Sequence, residues 1–211
     1  MELLAISATQ ATVEFLNKGG VFMYPLILCS IAGLTAIGFK AMALARQRIA
    51  PDRLADGLDN IESGDPDPVV AELKQGGSSL ARLGGVAMKH HGKSADEITR
   101  AVEASAREEV VKMYSGIGVL DVVITVAPLL GLLGTASGLV TIFQGLGETT
   151  DHLAIARGIA EALNTTIFGL AIAVPCVIAH SYFTRRIERL TARMESVMTS
   201  FVSSCSGNST P

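Results

Sequence analysis

The 211-residue chain has no tryptophan, only three tyrosines and seven phenylalanines, and just three cysteines. Three cysteines make no disulfide framework: Cys29 and Cys176 fall inside apolar runs, and Cys205 lies in the C-terminal tail. The sequence has no basic–aromatic patch, Walker-type loop or dinucleotide fingerprint, and its net charge is -3. Nucleic acid is therefore not expected as a partner, and no cofactor is implied. Charge is scarce as well, with 18% Asp, Glu, Lys and Arg. It is missing altogether from residues 19–39, 122–147 and 162–184. Each run reaches the roughly 20 residues needed to cross about 30 Å of hydrocarbon. One such run fits a buried soluble helix. Three of them, with a mean hydropathy of +0.42, predict an all-α membrane protein with three transmembrane helices.

Basic residues set the orientation. Lys40, Arg46, Arg48 and Arg53 follow the first span, Arg107 and Lys112 precede the second, and Arg185, Arg186, Arg189 and Arg193 follow the third. On the other side stands Lys18, while the turn after span two carries Glu148 and Asp151 but no basic residue. The positive-inside rule puts the N-terminus outside, in the periplasm of a bacterium, and the C-terminus in the cytoplasm. The expected order is an amphipathic periplasmic segment at 1–18, spans at 19–43, 118–146 and 154–184, a cytoplasmic helical segment at 44–117, a periplasmic turn at 147–153, and a cytoplasmic helix with a disordered tail at 185–211. With no basic n-region or small-residue cleavage site, the first span is expected to stay in the mature chain.

Within that order, Leu4, Ala8, Ala11 and Phe15 give the first segment an apolar face. Gly19-Gly20 ends it, and Pro25 is tolerated in the first turns of span one. Pro51, Asp65-Pro66-Asp67-Pro68, Gly76-Gly77 and Gly84-Gly85 are breakers that predict several short helices. Ser94-Ala95-Asp96-Glu97 reads as a capping box, Ser94 capping the helix and Glu97 reaching back. From there Ile98, Val102, Ala106, Val110 and Met113 predict a helix running almost unbroken into span two. Ile187, Leu190, Met194, Val197 and Phe201 extend span three likewise, so both spans are expected to project into the cytoplasm. The tail from Ser203 is expected to be disordered.

Span two carries Gly131, Gly134, Thr135, Gly138, Thr141 and Gly145 on one face. Such a stripe suits tight helix packing, since small residues let backbones approach, and it equally suits a polar track along a pore. Span three has Ala162, Thr166, Gly169, Ala173, Cys176 and His180 on one stripe, with Glu161, Asn164 and Thr165 at its outer end. An ideal helix puts Glu161 and Thr165 on one face and turns Thr166 about 140° from Glu161. A carboxylate facing lipid at that depth costs about 2–3 kcal/mol, so Glu161 requires water, a partner or a cation, or else an i,i+4 pair with Arg157. His180 reads as an interfacial packing residue or a proton relay, and Asp121 as a cap or as lining of the inner mouth. His90-His91 has no Cys or spaced carboxylate beside it and gives no metal site.

Ala127-Pro128-Leu129-Leu130-Gly131-Leu132-Leu133-Gly134-Thr135 followed by Gly138 resembles the span-two motif of the MotA/TolQ/ExbB proton channel family. Gly158-Ile159-Ala160-Glu161-Ala162-Leu163, with Thr166, Gly169-Leu170 and Ala173-Val174-Pro175, is similar to the span-three motif. Glu14-Phe15-Leu16-Asn17-Lys18-Gly19-Gly20 and Tyr24-Pro25-Leu26 look like the approach to span one in ExbB-like members. The resemblance implies a pentameric ring around single-span helices of an ExbD/TolR-like partner, an acidic residue of which carries protons, with work delivered to a TonB- or TolA-like protein at the bacterial inner membrane. It carries over to Thr135 and Thr166 as interior threonines and to Glu161 as the span-three glutamate, with Thr165 and Asn164 beside them on the expected ion pathway. Three spans favour ExbB and TolQ over the four-span stators. Asn164, Thr165 and Phe39-Lys40 depart from the best-known members. A membrane scaffold without conduction is the alternative reading; no paired metal ligands or nucleophile–base set in the spans suggests an enzyme.

Overall fold

The structure, a computed structural model, describes residues 21–44, 49–59, 66–145 and 152–206. Among them every regular element is a helix: α1 Met23–Ala43, α2 Asp52–Asp59, α3 Pro66–Gln75, α4 Ser79–Lys89, α5 Ala95–Tyr114, α6 Ile117–Gly145 and α7 His152–Ser206. Three stretches are long and apolar enough to cross a membrane, namely Met23–Ala43, Ala95–Gly145 and Ile155–Ser203. The all-α class and the three candidate spans expected from the sequence are present. The N-terminal amphipathic segment and most of the turn between spans two and three lie outside the described residues.

Two compact units divide the chain. One combines Met1–Gly38 with Ile117–His180, and the other Phe39–Gly116 with Ser181–Pro211.

In the first unit α6 and α7 run antiparallel, and small residues set their spacing. A Cβ on Gly138 would lie 2.8 Å from Ala162 Cβ, one on Gly158 2.9 Å from Ile142, and one on Gly169 2.5 Å from the Ala127 carbonyl oxygen. The contact stripe on α7 thus steps through Gly158, Ala162, Thr165 and Gly169, the 3–4 spacing of one helix face. Gly33 of α1 approaches Cys176 and Val123 in the same way. Packing is therefore what Gly131, Gly134 and Gly138 of span two do within the chain. Large apolar side chains such as Leu28, Ile31, Leu132, Phe143, Ile167 and Ile178 point outward. Acyl chains solvate such residues, whereas water does not. Pro128 and Pro175 sit inside α6 and α7, and the helices continue through both.

The second unit is made of short helices with local stops. Ser78 caps α4 by accepting from Ala81 N at 3.1 Å. Gly84-Gly85 does not break that helix as the sequence predicts; a Cβ on Gly84 would sit 2.5 Å from Leu73 Cδ2, so glycine there serves close approach to α3. Ser94 caps α5, its Oγ accepting from Glu97 N at 3.4 Å. The Glu97 carboxylate does not reach back to complete the box, because Lys93 Nζ holds it at 2.5 Å.

The run from α5 into α6 is interrupted at Ser115-Gly116, where Gly116 takes φ +80°, a left-handed conformation that favours glycine. Buried Lys40 donates its ammonium to Met113 O at 2.9 Å and so satisfies a carbonyl at the end of α5. Arg186 Nε donates to Leu44 O at 2.9 Å, and Arg193 pairs with Asp52 at 2.6 Å. The helix expected to give way to a disordered tail at Ser203 continues to Ser206, its apolar stripe of Ile187, Leu190, Met194, Val197 and Phe201 buried.

α4 and α5 are joined by one buried carboxylate. Glu109, with 4% of its side chain exposed, takes Arg82 Nη2 at 2.5 Å and Lys112 Nζ at 2.9 Å. Burial alone pushes this carboxyl up, but hydrogen bonds from Arg82, Lys112 and Ser79 outweigh it and hold it at about 2. The paired Arg82 guanidinium is raised, chiefly by its hydrogen bond to Glu109.

Candidate ion-conducting site

Thr135 and Thr166 meet across the α6–α7 contact. Thr135 Oγ1 and Thr166 Oγ1 each donate to Gly131 O at 2.9 Å, and the two hydroxyls also contact one another. Two hydroxyl protons thus serve three oxygen–oxygen contacts, which leaves acceptor capacity on the pair. The arrangement follows from local sequence: Thr135 bonds back one turn within α6, and Gly131 has no side chain, so Thr166 comes against its backbone. Thr135 is 8% exposed and Thr166 half-buried.

The remaining expected pathway residues divide. Thr165 is 1% exposed, its methyl group set against Gly134, where a Cβ would come within 2.5 Å. Asn164 is half-buried and Glu161 is exposed. Ideal geometry puts Glu161 and Thr165 on one face, but the contact stripe passes through Ala162 and Thr165 and leaves Glu161 on its flank. Arg157 is also exposed, and among the described residues no ion pair joins it to Glu161. The i,i+4 pair that would have explained this carboxylate is not formed.

One relation was not anticipated. His180 Nε2 lies 2.9 Å from Asp121 Oδ1. Each residue stands out singly in the sequence, and the antiparallel course of their spans was the signal that they share a level. Among the described residues no group of three or more His, Cys, Asp or Glu side chains is placed to hold a metal ion.

These features define a multi-pass helical membrane protein whose second and third candidate spans meet through small residues and a hydroxyl pair. The chain belongs to the MotA/TolQ/ExbB proton channel family, whose profile matches residues 71–196. It is 32% identical over 178 residues to an ExbB homolog of Methanothermobacter thermautotrophicus, covering 83% of this chain and 64% of that protein. It is 36% identical over 181 residues to a biopolymer transport ExbB-like protein of Synechocystis, covering 81% of this chain and 70% of the relative. A shorter match, 36% over 98 residues, joins it to the Tol-Pal system protein TolQ of Pseudomonas aeruginosa, 46% of this chain and 42% of that one. The chain thus spans less than two thirds of the Methanothermobacter relative and under half of TolQ.

Proposed function

We propose that this chain is the ring-forming subunit of an inner-membrane motor driven by ion-motive force, with protons as the ion. Five copies enclose a central cavity that receives a single-span ExbD/TolR-like partner, and the assembly energises a TonB- or TolA-like protein for outer-membrane transport or envelope work. In this reading the spans occupy 19–43, 118–146 and 154–184, the N-terminus is periplasmic, and 44–117 and 185–211 are cytoplasmic.

The observation that carries the proposal is Glu161. It is an exposed carboxylate without a partner among the described residues, set in a run of apolar residues. Facing lipid it would cost about 2–3 kcal/mol; facing a hydrated cavity in an assembled ring it costs little. Asn164 and the Thr135–Thr166 hydroxyl pair continue a polar path inward from it. Thr165 acts from behind, by fixing the contact with Gly134. Each proton descending 100 mV releases about 2.3 kcal/mol, so several drive one substantial mechanical step.

The test is reconstitution of the full chain with its single-span partner in liposomes under an imposed pH gradient. The gradient should collapse, and Glu161→Gln should abolish the collapse while the ring still assembles. A ring that forms without dissipating the gradient would instead make the chain a scaffold.

A further inference from the structure

Glu161 and His180 are 19 residues apart on α7, about 28 Å at about 1.5 Å per residue and close to the thickness of the hydrocarbon core. Between them α7 has no Asp, Glu, Lys, Arg or other His. The same is true of α6 from Val122 to its end, and Asp121 is the only Asp, Glu, Lys, Arg or His that helix contains. The two helices therefore hold ionisable side chains at the two edges of one apolar slab, with the Thr135–Thr166 hydroxyls between. At the edge away from Glu161 the group is a carboxylate and an imidazole 2.9 Å apart.

Their surroundings favour exchange of protons over burial. The Asp121 side chain is 59% exposed and His180 30%, so both can be reached once the outer faces meet water or another helix. From α1 no Asp, Glu, His, Lys or Arg in residues 23–39 faces the pair, and Lys40 gives its ammonium to Met113 O. From α7 the other titratable side chains on the inner half of the span are Cys176, which is buried against Gly33, and Tyr182, whose hydroxyl accepts from Arg186 Nη1 at 3.1 Å. Asp121 is the carboxylate in contact with His180. An imidazole nitrogen and a carboxylate oxygen 2.9 Å apart can hold one proton between them.

We propose that Asp121 and His180 form a proton-binding station at the end of the helix pair opposite Glu161, where a proton passing along the spans is taken up on His180 Nε2 or Asp121 and released to water. One proton binds and one leaves, with no covalent or redox step. The inference rests on the conducting function proposed above and assigns a residue pair to the second mouth.

Proton flux through the full chain with its partner in liposomes, followed as a function of pH, tests it. His180→Gln should lower flux by about tenfold or more and change how flux depends on pH. His180→Lys keeps a cation beside Asp121 but holds its proton at neutral pH, so the ring should assemble without regaining flux. Asp121→Asn should lower flux as well, because the imidazole loses the carboxylate with which it shares a proton. If His180→Gln keeps both the flux and the pH profile of wild type, or His180→Lys restores them, the pair is a structural bridge and this inference falls. If wild type itself conducts no protons, it is the conducting function that fails.

Discussion

Gly134 and Thr165 lie so close that a Cβ on the glycine would come within 2.5 Å of the threonine's Cγ2. One turn before Gly134, Gly131 faces the Thr165 carbonyl oxygen and the Thr166 Cα, each 3.0 Å from where its Cβ would be. Neighbours that are backbone cannot rotate away. The distance between the second and third candidate spans is thus set by missing methyl groups.

Gly134→Val should force these helices apart and cost about 1–3 kcal/mol, the usual penalty for overfilling a packed contact. Gly145→Ala, which meets nothing within 4 Å among the described residues, should not destabilise. Thermal unfolding of the two purified variants in one detergent gives the comparison; equal midpoints would contradict the packing role.

Thr135→Val keeps the shape of the side chain and removes its hydroxyl. The net loss of stability should be only about 0.5–1.5 kcal/mol, because Thr166 still donates to Gly131 O. Proton flux in the reconstituted complex should fall much further than stability does. A double-mutant cycle with Thr166→Val should show coupling, since the two hydroxyls share one acceptor.

Glu109 ties part of the second unit's stability to pH. Its carboxyl lies below the ordinary value of 4.5, at about 2. The stabilisation from a depressed carboxyl is therefore fully present above about pH 4.5 and is lost as pH falls toward 2. Glu109→Gln should cost about 1–3 kcal/mol at neutral pH and flatten the acid limb of the stability curve. Chemical denaturation at a series of pH values reads both effects.

Gly116→Ala should be strained because φ is +80° there, at a cost of about 1–2 kcal/mol. The added methyl would also stand 3.4 Å from Lys40 Cε. Lys40→Met should separately leave Met113 O without its ammonium. Faster amide exchange at the C-terminal end of α5 is the expected sign in both variants.

What the sequence revealed was what depends on composition over many residues. Twenty uncharged positions in a row demand a helix in lipid whatever their neighbours, so α1 and the apolar parts of α6 and α7 were legible. Local capping was legible at Ser94, whose side chain needs only the adjacent backbone. Where two nearby partners compete, sequence could not decide: Glu97 had both the cap and Lys93 within reach, and the lysine took it. Gly84-Gly85 reads as a breaker until Leu73 is known to press on it. Thr135 and Thr166 were legible as members of motifs, but not their shared hold on Gly131 O. Asp121 and His180 are 59 positions apart in the chain, and only the antiparallel register of their helices joins them.

Proline at positions 128 and 175 has no N–H, so the carbonyls of Ile124 and Ala171 each lose the donor four residues ahead. The register that sets Gly169 on Ala127 brings those two oxygens within about one residue's rise of the same level. A carbonyl left dry costs about 1–3 kcal/mol. Each proline thereby gives solvent or a visiting side chain an oxygen to compete for, part-way between the threonine hydroxyls and the imidazole, in a stretch whose side chains offer almost nothing else to bond to.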